Sequence, residues 1–160
     1  IKNEYSLQLP DFLSKASYLH QDASLQYQNA LREFYVVVID EPKQDFYNIA
    51  ETTEDFPADF EGYHQILKSG LEEAIQDIQI TPTKETQING LKAKIFSLTG
   101  EIETIPVYYE VAYVEGKDKF YQIVIWTLKD NQEKYGEQMR NILSSFKETG
   151  TARNNDRSKK

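Results

Sequence analysis

Cysteine is absent from this chain of 160 residues, which excludes disulfide scaffolds, thiolate zinc sites and cysteine nucleophiles. Long apolar runs are also absent. The longest, Phe34–Ile39, is far shorter than the ~20 residues that span a bilayer, so we predict no transmembrane helix. The seven glycines stand apart from one another, and none belongs to a glycine-rich phosphate loop. The remaining composition, 39% hydrophobic and 28% charged, is that of an ordinary globular domain.

Histidine is scarce too, with His20 and His64 as the two occurrences. Two histidines cannot make a three-histidine zinc site, and no Gly-x-Ser-x-Gly elbow is present to hold a serine nucleophile. We therefore expect no catalytic residue, no metal ion and no cofactor. His20 lies in a polar stretch and is interpreted as a loop residue, which leaves His64 as the one candidate for a base.

The net charge of −8 is unevenly distributed. The last twelve residues hold four basic residues and one acidic residue, so residues 1–148 carry a net charge of −11. A body this negative repels phosphate backbones and anionic lipids, and we expect no nucleic-acid partner. Residues 149–160 are polar without apolar periodicity, which predicts a disordered basic tail after a single domain at residues 1–148.

Alternating and β-branched segments predict strands. Phe34–Ile39 has the composition of a strand buried on both faces, and Phe120–Leu128 is apolar on both sides, which predicts a central strand covered by helices. Asn89-Gly90 is a strong signal for a two-residue hairpin turn, whereas Gly100–Thr104 is interpreted as a polar connection. The other predicted strands are Tyr5–Leu9, Leu25–Asn29, Thr83–Ile88, Leu91–Leu98 and Val107–Val114.

Apolar residues at intervals of three and four predict one helix over Phe60–Ile78 and a second over Asp130–Lys147, with Asp130 as the N-cap. Lys43–Ala50 fits one or two helical turns, and the acidic segment Glu51–Glu61 is interpreted as a loop. The order of these elements predicts an α+β fold: a central antiparallel sheet with helices on both faces, an α/β/α sandwich.

Tyrosine is abundant, with eleven in the chain, and its flat apolar ring with a polar tip suits binding surfaces. Aromatic side chains on adjacent predicted strands form a candidate binding surface or a ladder that stabilises the sheet: Tyr108, Tyr109, Tyr113, Tyr121 and Trp126. A second candidate is a cleft around residues 51–64, where Asp55, Asp59 and His64 stand close together in sequence. The acidic cluster has no EF-hand spacing, so we predict no metal site there.

The element order resembles the PsbP-like superfamily. The resemblance rests on an opening strand Tyr5–Pro10, an early buried strand, a mid-chain helix and a run of hairpins. It rests most on an aromatic strand followed by a helix that ends at Ser145-Phe146-Lys147. This superfamily also contains a Ran-binding nuclear import factor and many small bacterial envelope proteins and lipoproteins. The resemblance covers roughly residues 5–147 and implies an α/β/α sandwich that acts in binding or assembly without catalytic residues. No functional residue set of the superfamily matches positions in this chain.

Since no chloroplast or thylakoid feature is visible, the resemblance favours the bacterial envelope branch and an extracytoplasmic, periplasmic or cell-envelope location. The chain begins with Ile1 rather than Met, as it would after removal of an export signal, or of a lipidation signal with a lipid anchor upstream of residue 1. A chain cut at an arbitrary point would begin in the same way. Nothing in the sequence specifies an oligomeric state.

Three functions remain open. The first is a non-enzymatic binding or assembly module of the bacterial cell envelope, which holds a protein partner through a sheet face or a loop cleft. The second is a small-molecule binding protein or enzyme with a cleft near residues 51–64 and His64 as its base. The third is an immunity-type inhibitor whose acidic body covers a basic toxin.

Overall fold

Ten strands and three helices make up the part of the chain that the computed structural model describes, residues 4–149. The strands are β1 (Tyr5–Ser6), β2 (Ser14–Lys15), β3 (Leu25–Asn29), β4 (Phe34–Pro42), β5 (Gln76–Ile80), β6 (Lys84–Ile88), β7 (Leu91–Ile102), β8 (Ile105–Glu115), β9 (Lys119–Leu128) and β10 (Lys147–Glu148). The helices are α1 (Lys43–Thr53), α2 (Phe60–Ala74) and α3 (Gln132–Ser144), the last preceded by a 3₁₀ turn at Lys129–Asn131.

Eight of these strands form one antiparallel sheet. Its order is β2-β3-β4-β9-β8-β7-β5, and β6 pairs with β7 beside β5. Strands β1 and β10 form a separate antiparallel pair, in which Tyr5 lies opposite Glu148. The hairpin β8–β9 and its neighbours β4 and β7 are the long strands of the sheet, so the helices pack against them.

The helices cover both faces of the sheet, which confirms the predicted α+β sandwich. On one face, apolar side chains of α3 join those of the central strands in a core that includes Val36, Val38, Ile123, Ile125, Tyr135, Met139 and Leu143. On the other face, α1 and α2 contribute to a second core that includes Phe46, Phe60, Tyr63, Val111, Tyr113 and Phe120. The faces are called below the α3 face and the α1/α2 face.

Strand β9 is central and buried on both sides, as its sequence predicts. Phe120 belongs to the core of the α1/α2 face, against which the half-buried Trp126 packs, and Ile123 and Ile125 belong to the core of the α3 face. Strand β4 pairs with it along eight residues and has the same two-sided burial, with Val37 on the α1/α2 face. Two apolar strands side by side give each helix layer a continuous surface to pack on.

The helix predicted over Phe60–Ile78 is too long, because α2 ends at Ala74. Ile75 is already extended, and Gln76–Ile80 forms β5 along the edge of β7, with a bulge at Asp77 where φ is 51°. The pairing with β7 outweighs the helical spacing of Ile78. This strand is absent from the sequence prediction.

Other boundaries also differ from the prediction. The last helix ends at Ser144 rather than at Lys147, because Lys147–Glu148 forms β10. Helix α1 continues to Thr53 and therefore takes up part of the predicted acidic loop. Asp130 is not the N-cap of the last helix: Asn131 occupies that position without a side-chain cap, after the 3₁₀ turn. Gly100 lies inside β7, and the connection to β8 is only Glu103-Thr104, both at positive φ as a tight hairpin turn requires.

The predicted turn at Asn89-Gly90 is confirmed, with φ of 48° and 88° at the two residues. The Asn89 side chain also donates to the carbonyl oxygen of Phe146 at 2.7 Å, so the hairpin holds the chain just after α3. No helix among the described residues is long and apolar enough to cross a membrane. Except for Thr149, the predicted basic tail lies outside the described residues.

Candidate functional site

In the part of the chain that the structure describes, no helix covers the end of the α1/α2 face nearest the β7–β8 turn. A cavity of about 320 Å³ lies there, and no residue of α1 or α2 lines it. Among residues 4–149, four large hydrophobic side chains are exposed, and two of them, Tyr18 (70%) and Ile105 (51%), line this cavity. A third, Leu31, is 99% exposed in the β3–β4 turn, two residues from the cavity residue Glu33.

We call this cavity the aromatic pocket. Its lining residues come from four separate segments: Tyr18 and Leu19 from the β2–β3 connection, Glu33 and Tyr35 from the start of β4, Ile102, Ile105 and Val107 from the β7–β8 hairpin, and Trp126, Thr127 and Leu128 from the end of β9. Most of the lining is apolar. The pocket is therefore suited to an apolar side chain or ring rather than to a charged metabolite.

A row of stacked rings forms the boundary between the pocket and the core. Tyr35, Trp126 and Tyr109 lie opposite one another on β4, β9 and β8. The ring centroids of Trp126 and Tyr35 are 5.3 Å apart, and those of Trp126 and Tyr109 are 5.6 Å apart, with interplanar angles of 21° and 14°. Because each ring packs on its neighbour, the pocket wall is already formed by contacts within the sheet.

The loop that carries Tyr18 is fastened to β3 by two glutamine side chains. Gln28 Oε1 accepts from the Tyr18 hydroxyl at 2.7 Å, and Gln26 Oε1 accepts from the backbone N–H of Leu19 at 2.8 Å. Gln28 lies opposite Tyr35, and Gln26 lies opposite Val37, so both side chains are on the α1/α2 face. The exposed tyrosine is thus held beside the pocket rather than free to swing away.

The polar groups of the pocket are one carboxylate and tyrosine hydroxyls. The Tyr35 hydroxyl donates to Glu33 Oε1 at 2.8 Å, and burial, with the neighbouring carboxylate, raises the pKa of Tyr35 to about 12. The Tyr35 hydroxyl therefore stays protonated near neutral pH and acts as a hydrogen-bond donor.

Known proteins resemble this chain in structure rather than in sequence. No family model and no curated protein matches it. Cyanobacterial PsbP from Synechocystis superposes with a TM-score of 0.63 at 9% identity, over 91% of this chain and 86% of that one. LpqN, which is involved in cell envelope biogenesis of Mycobacterium tuberculosis, has a TM-score of 0.59 at 10% identity, over 89% and 81% of the two chains.

The chain has the PsbP-like fold. A third protein with this fold, PA94 of Pseudomonas aeruginosa, is of unknown function and superposes with a TM-score of 0.58 at 13% identity, over 89% of this chain and 96% of that one. The resemblance inferred from the element order is thereby confirmed for the fold, whereas a relation to the Ran-binding import factor is not shown. At such low identities these structures assign no residue of this PsbP-like chain to a function.

The tyrosines singled out from the sequence lie mostly in the two cores. Tyr108 and Tyr121 are buried on the α3 face, and Tyr113 is buried under α2 beside Tyr63. Tyr109 is 9% exposed and reaches the pocket only through its stack with Trp126. Of the five aromatic candidates, Trp126 alone lines the pocket, and three of the others support the sheet from within.

His64 lies beside a carboxylate but faces inward. Its Nδ1 is buried without a hydrogen-bond partner among the described residues, 3.6 Å from Glu61 Oε2, and its Nε2 forms a 3.1 Å hydrogen bond with Thr83 Oγ1. Burial lowers the pKa of His64, with Lys94 contributing, although Glu61 opposes the shift. The imidazole is therefore neutral near neutral pH, and its position suits a support of α2 better than a base in contact with substrate.

A larger cavity of about 810 Å³ lies next to this cluster, but His64 does not line it. Lys94 does; its side chain is almost fully buried and bridges Glu61 at 2.9 Å and Glu85 at 3.2 Å. Asp59 is at the rim, where its carboxylate caps α2 by accepting from the backbone N–H of Gly62 at 2.9 Å. Asp55 is exposed and does not line the cavity, and no group of three or more possible metal ligands occurs among residues 4–149.

Several pocket residues have no distinguishing signal in the sequence: Tyr18, Glu33, Tyr35 and Ile105. Tyr18 lies in a segment that is interpreted as a loop, and Ile105 immediately follows the turn. The one usable signal is the alternation of β4 and β9, which places Tyr35 and Trp126 on the same face as Val37 and Val124. Without the strand register, that pattern could not show that the two rings meet.

Proposed function

We propose that this chain is a non-enzymatic binding or assembly module of the bacterial cell envelope that holds a protein partner in the aromatic pocket. The observation that carries the proposal is the clustering of exposed apolar side chains, Tyr18 and Ile105, around an apolar cavity that the chain's own helices leave open. Exposed apolar surface around a preformed pocket is typical of protein interaction sites, because releasing water from such a surface on binding is favourable.

The location and the non-enzymatic character are part of the same proposal. They are supported by LpqN, which has the same fold and is involved in cell envelope biogenesis, and by the absence of cysteine. The inward position of His64 also favours binding over catalysis, since His64 is buried and does not line the neighbouring cavity. A candidate base must reach the proton that it removes.

The test is affinity capture from an envelope extract of the source organism with the full chain as bait. Ile105→Asp places a charge in the pocket at a half-exposed position, so the fold should tolerate it. Ile49→Asp is the matched control, because Ile49 is 53% exposed on α1 and does not line the pocket. Circular dichroism of both variants checks that each is folded.

We expect one protein to be retained in near-stoichiometric amounts by the wild type and by Ile49→Asp, and at least ~10-fold less by Ile105→Asp, since a central apolar anchor carries much of the binding energy. Equal retention by all three baits would show that the partner binds outside the pocket. Retention of no protein would contradict a stable partner in the envelope.

A further inference from the structure

We propose that the partner presents to the aromatic pocket a segment in which one bulky apolar side chain stands next to a lysine or arginine. This inference rests on the proposed function and specifies the chemistry of the partner. It is carried by three properties of the pocket: its size, the sign of the charges at its rim, and the absence of a cation among the residues that line it.

The volume of the pocket sets the size of the occupant. About 320 Å³ is at the lower end of ligand sites and holds one large side chain with part of its backbone. A helix, which is about 10–12 Å across with its side chains, does not fit into such a space. The partner therefore enters the pocket with a single apolar side chain as its anchor, while the rest of its backbone stays outside.

The charges at the rim are negative. Glu33 lines the pocket, and only its Oε1 is taken by the Tyr35 hydroxyl, which leaves Oε2 for a donor from the partner. Glu103 is exposed at the tip of the β7–β8 turn, between the pocket residues Ile102 and Ile105. Two carboxylates beside an apolar cavity are complementary to a cation placed next to an apolar anchor.

Among residues 4–149, no cation competes for these carboxylates from within the pocket, because no Lys, Arg or His of this part of the chain lines it. Arg32 precedes Glu33 in sequence, but its guanidinium lies 4.1 Å from the centre of the Phe12 ring, which packs on the α3 face. Lys129 follows Leu128 and lines two other cavities instead. As far as the described residues go, the rim is therefore acidic, and the chain as a whole has a net charge of −8.

The other occupants of an open apolar face fit these charges less well. An anionic lipid surface would be repelled by the acidic rim and by the net charge. A second copy of the chain, docked through the same face, would bring its own acidic rim against the first, and like charges opposed across an interface are unfavourable. A cationic segment of another protein is the occupant that both the shape and the charge favour.

The experiment uses a phage-displayed library of random 12-residue peptides, selected on the full chain and counter-selected on Ile105→Asp. Recovered peptides are then synthesised with a fluorophore and titrated by anisotropy at several salt concentrations. The double variant Glu33→Gln/Glu103→Gln tests the rim. Glu72→Gln/Glu73→Gln is its matched control, because it removes the same charge from two exposed positions on α2.

We expect the selected peptides to share an aromatic or large aliphatic residue next to Lys or Arg. Their affinity should fall at least ~10-fold in Ile105→Asp and ~3–10-fold in Glu33→Gln/Glu103→Gln, with a weaker salt dependence in the latter, as for loss of partly exposed charge pairs. Ile49→Asp and Glu72→Gln/Glu73→Gln should change affinity less than ~2-fold.

Pocket-dependent peptides that lack basic residues, with affinities unaffected by Glu33→Gln/Glu103→Gln, would overturn the inference and leave the proposed protein-binding function standing. Failure to recover any pocket-dependent peptide would also overturn it, while the capture experiment separately decides the proposed function. Two further results would overturn the inference by indicating a different occupant. Binding to phosphatidylglycerol vesicles that Ile105→Asp abolishes would indicate a lipid surface. A dimer in sedimentation that Ile105→Asp dissociates would indicate a second copy of the chain.

Discussion

Trp126 stacks on Tyr35 with the ring centroids 5.3 Å apart and the ring planes 21° from parallel. The two residues lie directly opposite each other on β9 and β4, so the contact is also a cross-strand pair at the centre of the sheet. Such aromatic pairs stabilise a sheet by roughly 0.5–1.5 kcal/mol beyond the area they bury. The wall of the aromatic pocket is therefore at the same time a part of the fold.

Because of this double role, Trp126→Ala should lower the free energy of unfolding by about 2–3 kcal/mol, somewhat less than full burial would give, since Trp126 is only half-buried. Tyr18→Ala removes an exposed ring from the same pocket and should change stability by less than about 1 kcal/mol. Urea denaturation followed by circular dichroism measures both. A cost below about 0.5 kcal/mol for Trp126→Ala would contradict the stacked arrangement.

The layer arrangement is predictable from the sequence because it depends on local patterns. Phe120–Leu128 has large apolar side chains at successive positions, and a strand buries such a run only when both of its faces are covered. Asn89-Gly90 predicts its turn for a similar reason, since asparagine and glycine tolerate the positive φ that both positions adopt. Neither inference needs knowledge of distant residues.

The end of α2 and the aromatic pocket are not predictable in this way, because contacts between distant segments decide them. Ile78 continues the helical spacing of α2, but the pairing of Gln79 and Ile80 with β7 draws this segment into the sheet. In β8, Tyr109 and Tyr113 occupy equivalent positions in the alternating pattern and lie on the same face of the sheet. Only the placement of α2 determines which of them is covered by a helix.

Two glycines of α2 should respond to alanine in opposite directions. A Cβ at Gly62 would lie 1.8 Å from the carbonyl oxygen of Pro57, so Gly62→Ala must displace the segment that enters the helix. We expect a loss of at least ~2 kcal/mol, as for overpacking of a tight site. At Gly70 nothing lies within 4 Å of the added Cβ, and Gly70→Ala should stabilise the protein by about 0.5–1 kcal/mol.

Thermal denaturation of the wild type and of the two alanine variants measures these opposite changes in stability. The midpoints should move apart, with Gly62→Ala below the wild type and Gly70→Ala above it. If Gly62→Ala melts at the wild-type temperature, the close contact between α2 and Pro57 is wrong.

Acidification should destabilise the protein through His64. Burial lowers the pKa of His64 below its ordinary value of 6.5, so the unfolded chain takes up a proton at a higher pH than the folded one. The stability contributed by the neutral imidazole is therefore complete above pH 6.5 and is lost as the pH falls through the lowered pKa. His64→Gln should flatten the stability profile in this range.

Urea denaturation at closely spaced pH values between 7.5 and 5 gives that profile. The matched control is His20→Gln, because His20 is exposed in the β2–β3 connection. We expect His20→Gln to follow the wild-type curve. A wild-type profile that rises on acidification would indicate that the pairing of protonated His64 with Glu61 prevails over burial.

The buried carboxylate of Glu110 should make the contribution of Arg140 depend on pH. Glu110 is 3% exposed on the α3 face and accepts from the Tyr108 hydroxyl and from Arg140 Nη1, the latter at 3.3 Å. Burial raises the pKa of Glu110, although both partners oppose the shift. Because Arg140 itself is largely exposed, Arg140→Gln should lower the free energy of unfolding at pH 7 by only about 1–2 kcal/mol.

The sign of the pH dependence follows from the raised pKa. The favourable, protonated state of Glu110 is fully present below its ordinary pKa of 4.5 and is lost as the pH rises through the raised value. The cost of Arg140→Gln should therefore shrink as the pH falls toward 4.5. In a Glu110→Gln background, which does not titrate, that cost should be small and the same at both pH values. Equal costs of Arg140→Gln at pH 7 and pH 4.5 in the presence of Glu110 would show that the arginine stabilises α3 through its aliphatic stem rather than through the carboxylate.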